Sequence, residues 1–289
     1  MKICAVIVTY NRIEKLKITL SAYLASGVSS FVIINNASND GTEAYLEDFK
    51  SNHHCRLIHS QVNTGGAGGF YLGLKEARLI EGIDWLVVSD DDSYPDINTM
   101  AIFKEHISNA LNVTDLIAAS VYFPDGSVCP MNQPMAVFNV KRFFNNLLRG
   151  KKLTGIDNKR YLDNKATAIT ASSFVGLFIN HSSLLNSNIL PDPDFFIYWD
   201  DISFCLDMKK AGYSISFAPH VKFVHDCLRN TNNLSQERLY FMVRNGIRTI
   251  NKFPVYIKFF AFFIKLIKWL LIAVQNKSIK WYFKAIKDA

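Results

Sequence analysis

Residues 85–92 read WLVVSDDD. A short apolar run of this kind predicts a buried strand, and this one ends directly on Ser89 and three consecutive carboxylates, Asp90, Asp91 and Asp92. Three adjacent acids repel one another unless a cation or a set of donors offsets their charge. Mg²⁺ or Mn²⁺ takes one or two carboxylates together with diphosphate oxygens, so Asp90 and Asp92 at a strand end would present such an ion to a nucleotide lying across the strand ends. The competing reading is a solvated acidic turn that caps the next helix. Placement after a buried strand favours the ion.

Working outward, the segment belongs to a repeating strand and helix pattern. Residues 3–8 form an apolar, β-branched run, followed over 12–25 by Ile13, Leu16, Leu20 and Leu24 at helical spacing. Residues 31–34 predict a second strand, 35–42 a polar turn, 42–49 a helix, 56–59 a third strand, 63–70 a glycine-rich turn and 71–80 a helix. Such alternation predicts an α/β fold with a parallel sheet covered on both faces and ligands at the carboxyl ends of its strands. Beyond residue 115 the pattern loosens. Strands are expected at 116–122, 168–179, 214–217 and 221–224, with a helix over 201–211 and a lid or acceptor-side insertion over 140–165. The expected division is a nucleotide-binding half at 1–115, an acceptor half at 116–230 and a helical region at 231–289.

With 289 residues, 49% hydrophobic and 20% charged, the chain is long enough for a full core, which excludes disorder and small disulfide scaffolds. The net charge of +7 is concentrated: between Lys252 and Lys287 there are eight lysines and no acid, and the rest of the chain nearly balances. That argues for one adhesive segment and against a nucleic-acid surface. At 100° per residue, Lys258, Lys265, Lys268, Lys280 and Lys287 fall on one face of a helix, with Phe259, Phe260, Phe263, Leu266 and Leu270 around the remainder. A basic amphipathic helix lying in an anionic membrane surface has this pattern; a core-docking helix or a dimer seam is the alternative. The same lysines interrupt the apolar run, so no bilayer crossing is expected, and 1–12 is too short for a signal sequence. Cys4, Cys55, Cys129, Cys205 and Cys227 are scattered without a C-x-x-C pair, which suits a reducing cytoplasm and suggests neither a zinc site nor a disulfide framework.

The strongest distal cluster is FFIYWDDISFCLDMKKAGY, residues 195–213, where Trp199 and the acids Asp200 and Asp201 open a helix. An indole beside a carboxylate can seat a sugar; helix-capping acids are the alternative. His225, after the apolar run 221–224, is either a further ligand for the same ion or an ordinary strand-end histidine.

Taken in order, VTYNR (8–12), NNASNDGT (35–42), NTGGAGGF (63–70), SDDD (89–92), WDD (199–201) and His225 resemble the inverting family 2 glycosyltransferases of the GT-A fold, over residues 1–230. The combination is most similar to the bacterial galactofuranosyltransferases, with rhamnosyltransferases as near neighbours. The resemblance implies a mostly parallel nucleotide-binding sheet flanked by helices. It places Thr9, Arg12, Asn35, Asp40, Asn63, Gly65, Gly66 and Asp91 around a UDP-sugar donor, and Asp90, Asp92 and His225 on Mn²⁺ or Mg²⁺. It makes Asp201 the catalytic base, with Trp199 and Asp200 shaping the sugar site. Asn35 stands where the family usually has Asp, which loosens the preference for UDP. Tyr240, Arg244 and Asn245 form a Y-x-x-x-R-N pattern with an acceptor-side or structural role. The implied setting is the cytoplasmic face of the membrane, with a cell-surface or lipid-linked glycan as acceptor and homo-oligomers possible. A rhamnosyltransferase using dTDP-rhamnose, a non-catalytic nucleotide-binding module recruited to the membrane, and a nucleotidyltransferase releasing pyrophosphate remain the alternatives.

Overall fold

The computed structural model describes residues 1–110, 114–149, 154–163, 165–229 and 234–289. The first half follows the predicted alternation: β1 (Ile3–Thr9), α1 (Ile13–Ala25), β2 (Ser30–Asn35), α2 (Thr42–Asn52), β3 (His54–His59), α3 (Gly65–Ala77) and β4 (Trp85–Asp90). These four strands are mutually parallel in the order β3-β2-β1-β4. Every residue of β1 is buried, because helices cover both faces of the sheet. Leu16, Leu20 and Leu46 pack on one face. Phe70 and Leu74 pack on the other.

The glycine-rich segment differs from its expectation. Residues 65–70 are the first turns of α3, not a turn preceding a helix at 71. A Cβ on Gly69 would lie 2.4 Å from Val8 Cγ1, and one on Gly73 would lie 2.6 Å from Val6 Cγ1. The bare face lets α3 lie directly on β1, and this close packing outweighs a helix-propensity penalty of about 1 kcal/mol per glycine.

The second half comprises β5 (Ser93–Pro95), α4 (Thr99–Ser108), β6 (Leu116–Tyr122), β7 (Met135–Ala136), α5 (Val140–Leu148), β8 (Thr167–Ala171), β9 (Leu177–Asn180), α6 (His181–Ser187), α7 (Asp200–Lys210) and β10 (Ile215–His225). The sheet continues past β4 as β9-β6-β10-β8-β7, with β5 beside β10. Beyond β4 it is mixed, because β9 runs antiparallel to both β4 and β6. Two expectations change. The strand expected over 168–179 splits at Gly176, whose φ of +68° turns the chain, so β8 and β9 occupy separate places in the sheet. The two strands expected over 214–224 are one, β10, with a register shift between Ala218 and Lys222. The stretch 140–165 contains α5 and a short 3₁₀ turn at Asn158–Leu162, while 150–153 and 164 lie outside the described residues, as does the expected boundary at 230/231.

Three helices close the chain: α8 (Gln236–Ile250), α9 (Val255–Gln275) and α10 (Ile279–Lys287). The basic segment is therefore not one continuous helix, since Lys277 takes φ +52° between α9 and α10. Ile257, Ala261, Trp269 and Ala273 dock α9 on the core. Lys258 and Lys265 sit half-buried on this docked side, and the face turned outward is apolar: Val255, Phe259, Phe263, Ile267 and Leu271 are exposed at four-residue spacing. Among the described residues no helix is long and apolar enough to cross a membrane.

The α3 packing is testable. Gly69→Ala should lower stability to urea by about 1–3 kcal/mol, since its methyl meets Val8. Gly66→Ala, whose Cβ would find Phe70 at 4.0 Å, should be neutral or stabilising. Equal gains from both substitutions would exclude a packing role for Gly69.

Candidate active site

The parallel register sets the carboxyl ends of three strands side by side, Thr9 opposite Asn35 and Val8 opposite Asp90. This is where ligands bind in open α/β sheets. Asp91, buried just past β4, accepts from Thr9 Oγ1 at 2.9 Å and from the Tyr10 amide at 3.3 Å. Arg12 reaches over the same turn, its guanidinium 3.3 Å from Asp91 and 2.7 Å from Asp92. β5 then brings in a residue distant in sequence: Ser93 pairs opposite His225, and the Asp226 amide donates to Asp92 O at 2.8 Å. The result sets His225 Nε2 3.3 Å from Asp92 Oδ1. Asn132, from a 3₁₀ turn at Pro130–Asn132, holds the opposite ring nitrogen, Nδ1, at 2.7 Å through its side-chain oxygen.

Ligand atoms of Asp90, Asp92 and His225 lie within 4.8 Å of one another. Burial, followed by the charge on Asp92, pushes Asp90 up to about 7, and burial also pushes Asp91 up to about 6. Asp92 goes the other way: burial opposes its charge, but the hydrogen bond and charge of His225 and the nearby Arg12 outweigh it. His225 is correspondingly pushed up to about 12, as its bond to Asp92 and its thiol neighbours Cys129 and Cys227 overcome the opposing effect of burial. Two carboxylates and an imidazole in this arrangement fit a hard or borderline divalent ion such as Mg²⁺ or Mn²⁺, whose charge would relieve the repulsion borne by Asp90.

A second cluster joins the β2 end to α3. Asn36 is buried, donates to Asn63 Oδ1 and Gly65 O at 3.0 Å each, and accepts from the amide and hydroxyl of Thr64 at 3.0 Å. Gly65, with φ +70°, sits so close to the 193–199 loop that a Cβ would fall 2.0 Å from Phe196 O. The Ala67 amide donates to that same oxygen at 3.1 Å. In the loop, Phe196, Tyr198 and Trp199 all take positive φ, between 60° and 70°. Non-glycine residues adopt this region at a cost, so surrounding contacts must hold them there. Asn245 does so: its side-chain NH₂ donates to the carbonyls of Phe195, Ile197 and Tyr198 at 2.7, 2.8 and 3.2 Å. Arg244 adds a bond to Asp194 O. Arg244 and Asn245 of the Y-x-x-x-R-N pattern therefore shape the approach to Trp199-Asp200-Asp201, while Tyr240 donates to Asp288.

The two acids that follow are not equivalent. Asp200 is pushed well above the carboxylate range by burial, by Asp201 and by the charge of Asp90, so the W-D-D pair and the aspartate triplet act on each other across the site. Asp201 accepts from the Ile202 amide at 2.6 Å and is pushed up by burial to about 6.

Other expected residues are engaged within the fold. Asp40 accepts from the Ile13 amide at 3.0 Å, at the start of α1, and from Thr42 Oγ1 at 2.6 Å. Asn35 accepts from the Ser38 amide and meets His59 Nδ1, both at 3.0 Å. The Trp199 indole donates to Met242 O at 3.2 Å, stands edge-on to Trp269 and lies under Lys265, so it supports the site from behind. Asn63 Oδ1 accepts from the Gly65 amide at 2.8 Å, and Gly66 follows at the start of α3. Sequence reasoning passed over Asn36 and Asn132. Asn36 lay within a quoted polar run, but Asn132 carried no local signal.

Asn245→Ala should cost about 1–3 kcal/mol in urea denaturation, because three carbonyls lose their donor. Asn245→Asp should do the same, since it removes the NH₂. Stability unchanged in both would show that the loop holds its left-handed residues without this side chain.

Over residues 4–161 the chain matches the family model described as Glycosyl transferase family 2. It is 24% identical over 239 residues to galactofuranosyltransferase GlfT1 of Mycolicibacterium smegmatis, across 78% of this chain and 71% of that protein. It is 34% identical over 88 residues to poly-beta-1,6-N-acetyl-D-glucosamine synthase of Staphylococcus epidermidis, which is 29% of this chain and only 21% of the relative's length. Among solved structures, S. aureus TarS 1-349 in complex with UDP aligns with a TM-score of 0.59 at 14% identity, over 91% of this chain and 70% of that one. GalNAc-T7 with UDP, GalNAc and Mn²⁺ gives 0.66 at 13% identity, over 98% and 56%. At these identities the shared feature is the fold, which is the GT-A architecture that the sequence motifs imply.

Proposed function

The chain belongs to glycosyl transferase family 2, and from that premise we propose that it is an inverting, divalent-metal-dependent enzyme carrying galactofuranose from UDP-galactofuranose to a hydroxyl of a cell-surface or lipid-linked glycan. The observation that carries the proposal is the convergence of Asp90, Asp92 and His225, whose ligand atoms lie within 4.8 Å of one another at the carboxyl ends of the parallel strands. In this reading Asp201 is the base that faces the diphosphate site. The donor class is supported by neighbours solved with UDP, and the sugar by the similarity to GlfT1.

Asp90, Asp92 and His225 would hold the ion, which when bound supplies charge neutralisation for the diphosphate. Arg12 lies beside the same carboxylates and adds positive charge at the strand ends. Burial pushes both Asp200 and Asp201 up, Asp201 to about 6. In this reading Asp201 accepts the acceptor hydroxyl proton, and Asp200 beside it shapes the sugar site. The acceptor oxygen bonds to the anomeric carbon as the bond to the diphosphate breaks, UDP departs, and the configuration inverts.

The motifs also resemble rhamnosyltransferases, so dTDP-rhamnose is the alternative donor, and a panel of nucleotide sugars read for UDP or dTDP release separates the two.

Asp201→Asn should lower turnover at least about a hundredfold, as expected for loss of a general base. Donor hydrolysis and transfer equal to wild type would reject Asp201 as the base, and no turnover by either protein would support a non-catalytic module. In wild type, kcat/KM should fall as pH drops through about 6, because protonation removes the base, and that limb should be missing from the residual activity of Asp201→Asn.

The outward row of α9 is assigned here to an anionic membrane surface at the cytoplasmic face. It continues onto α5, where Phe144 contacts Phe260 and where Val140, Leu147 and Leu148 are also exposed. The acid-free lysine segment supplies the charge complementarity. Phe259→Glu combined with Phe263→Glu should cut cosedimentation with phosphatidylglycerol vesicles at least about tenfold, given about 1.5–3 kcal/mol for each fully buried Phe. Retained vesicle binding with a change in sedimentation mass would identify a dimer seam instead.

A further inference from the structure

Cys129 and Cys227, 98 positions apart in the chain, meet at the back of the candidate metal site. Cys129 is fully buried just before the 3₁₀ turn at Pro130–Asn132, and Cys227 lies half-buried two residues past the end of β10. Their sulfurs and a ring nitrogen of His225 lie within 4.8 Å of one another. Nδ1 stands 4.0 Å from Cys129 Sγ, whereas Nε2 faces Asp92. His225 is therefore set between two donor groups of opposite character: hard carboxylates on the Nε2 side and soft thiols on the Nδ1 side.

We propose that Cys129, His225 Nδ1 and Cys227 form a site for a thiophilic divalent ion, Zn²⁺ or a close analogue, whose occupancy takes His225 away from the carboxylate site. The first half rests on geometry. A tetrahedral zinc ion with Zn–S bonds of about 2.3 Å holds two sulfurs about 3.8 Å apart, so the present cluster closes with a contraction of no more than about 1 Å. Asn132 Oδ1, already within 3.1 Å of Cys129 Sγ and 2.7 Å of Nδ1, is on hand for the fourth position, as is a water. Half-exposed Cys227 gives the ion its way in, and on binding the thiol protons leave to solvent.

The second half follows from the imidazole and rests on the assignment of Asp90, Asp92 and His225 to a hard cation. A neutral imidazole has one lone pair in its ring plane. With zinc on Nδ1, Nε2 keeps its proton and donates to Asp92, so the carboxylate site loses its third ligand. With Mn²⁺ on Nε2, Nδ1 carries the proton and gives it to Asn132, as its 2.7 Å contact already allows. Each ion thus weakens the other through the tautomer of a shared ring. The scattered spacing of the cysteines gave no sign of this arrangement, because β10 and the turn before β7 converge only in the folded chain.

The test uses the full-length protein stripped of metal, with Cd²⁺ as a thiolate-reporting probe. Wild type should develop the ultraviolet thiolate-to-cadmium charge-transfer band at one equivalent, with affinity reduced about 10–100-fold in Cys227→Ser and in Cys129→Ser. Asp92→Asn should retain the band. A band as tight in both serine variants as in wild type overturns the site. Free Mn²⁺, read by its electron paramagnetic resonance signal, then tests the coupling. One equivalent of Zn²⁺ should weaken Mn²⁺ binding about tenfold in wild type and leave it near its own zinc-free value in Cys227→Ser. Equal weakening in both would mean that zinc competes directly at the carboxylates, which overturns the shared-ring coupling. Failure of Mn²⁺ to bind the zinc-free protein would refute the hard-ion assignment and the coupling together, and leave the thiol site to be decided by the cadmium titration.

Discussion

Carboxylate crowding is the constraint around which this fold is arranged. Asp90, Asp91 and Asp92 follow one another at the end of a buried strand, and the charge of Asp90 also reaches Asp200. In a desolvated region such charges repel strongly, and their pKa values are pushed up unless an opposite charge is supplied. The protein supplies two counter-charges from different elements. Arg12 comes from the turn after β1, and His225 from the end of β10. Asp92, which meets both, is the one member of the triplet whose pKa moves down rather than up. Asp90 lacks such direct contact and retains the repulsion, which is the electrostatic reason that a divalent ion fits there.

Delivering those counter-charges depends on pieces of backbone that would otherwise seem incidental. β5 is only three residues long, yet it sets the end of β10 beside the triplet, and the serine pair Ser89 and Ser93, 2.6 Å apart, ties the intervening turn. On the other side of the site, the bare glycine face of α3 brings its N-terminus against the 193–199 loop. Gly65 leaves room for Phe196 O, and Asn245 gathers the carbonyls that the left-handed residues turn inward. Strain in the loop is thus maintained by specific hydrogen bonds.

The residues most legible in the sequence were those whose chemistry and placement are both local. The triplet after WLVV and the acids after Trp199 could be read as a site because a strand end or helix start fixes where they stand. Asn132 could not, since its role arises from a 3₁₀ turn that meets β10 93 residues later. Asp40 carries a second role that its polar turn did not announce: it accepts from the Ile13 amide at the start of α1 as well as from the Thr42 amide. The glycine run misled for a related reason. Glycine signals freedom from side chains, and whether that freedom serves a turn or a close helix contact depends on the strand opposite, here β1.

The closing helices carry this reasoning furthest from the motif residues. A 100° wheel drawn over the whole basic segment assumes one unbroken helix, and Lys277 breaks it. Within α9 alone, two rows at four-residue spacing emerge on different sides. One row, Ile257, Ala261, Trp269 and Ala273, is buried; the other, Val255 to Leu271, is exposed and apolar. Lys265 falls in the buried row, and the indoles of Trp199 and Trp269 receive its charge. A lysine is tolerated there because its ammonium meets ring faces while its stem packs as an aliphatic chain. Since Trp199 opens the W-D-D helix, the buried row of α9 braces the proposed base from behind while the opposite row faces outward. Displacing α9 would therefore disturb Trp199 as well as the outer face, whereas altering the exposed phenylalanines alone would leave the brace intact. A helix anchored in this way couples the orientation of the proposed membrane face to the position of the proposed catalytic acid through two aromatic rings and one cation.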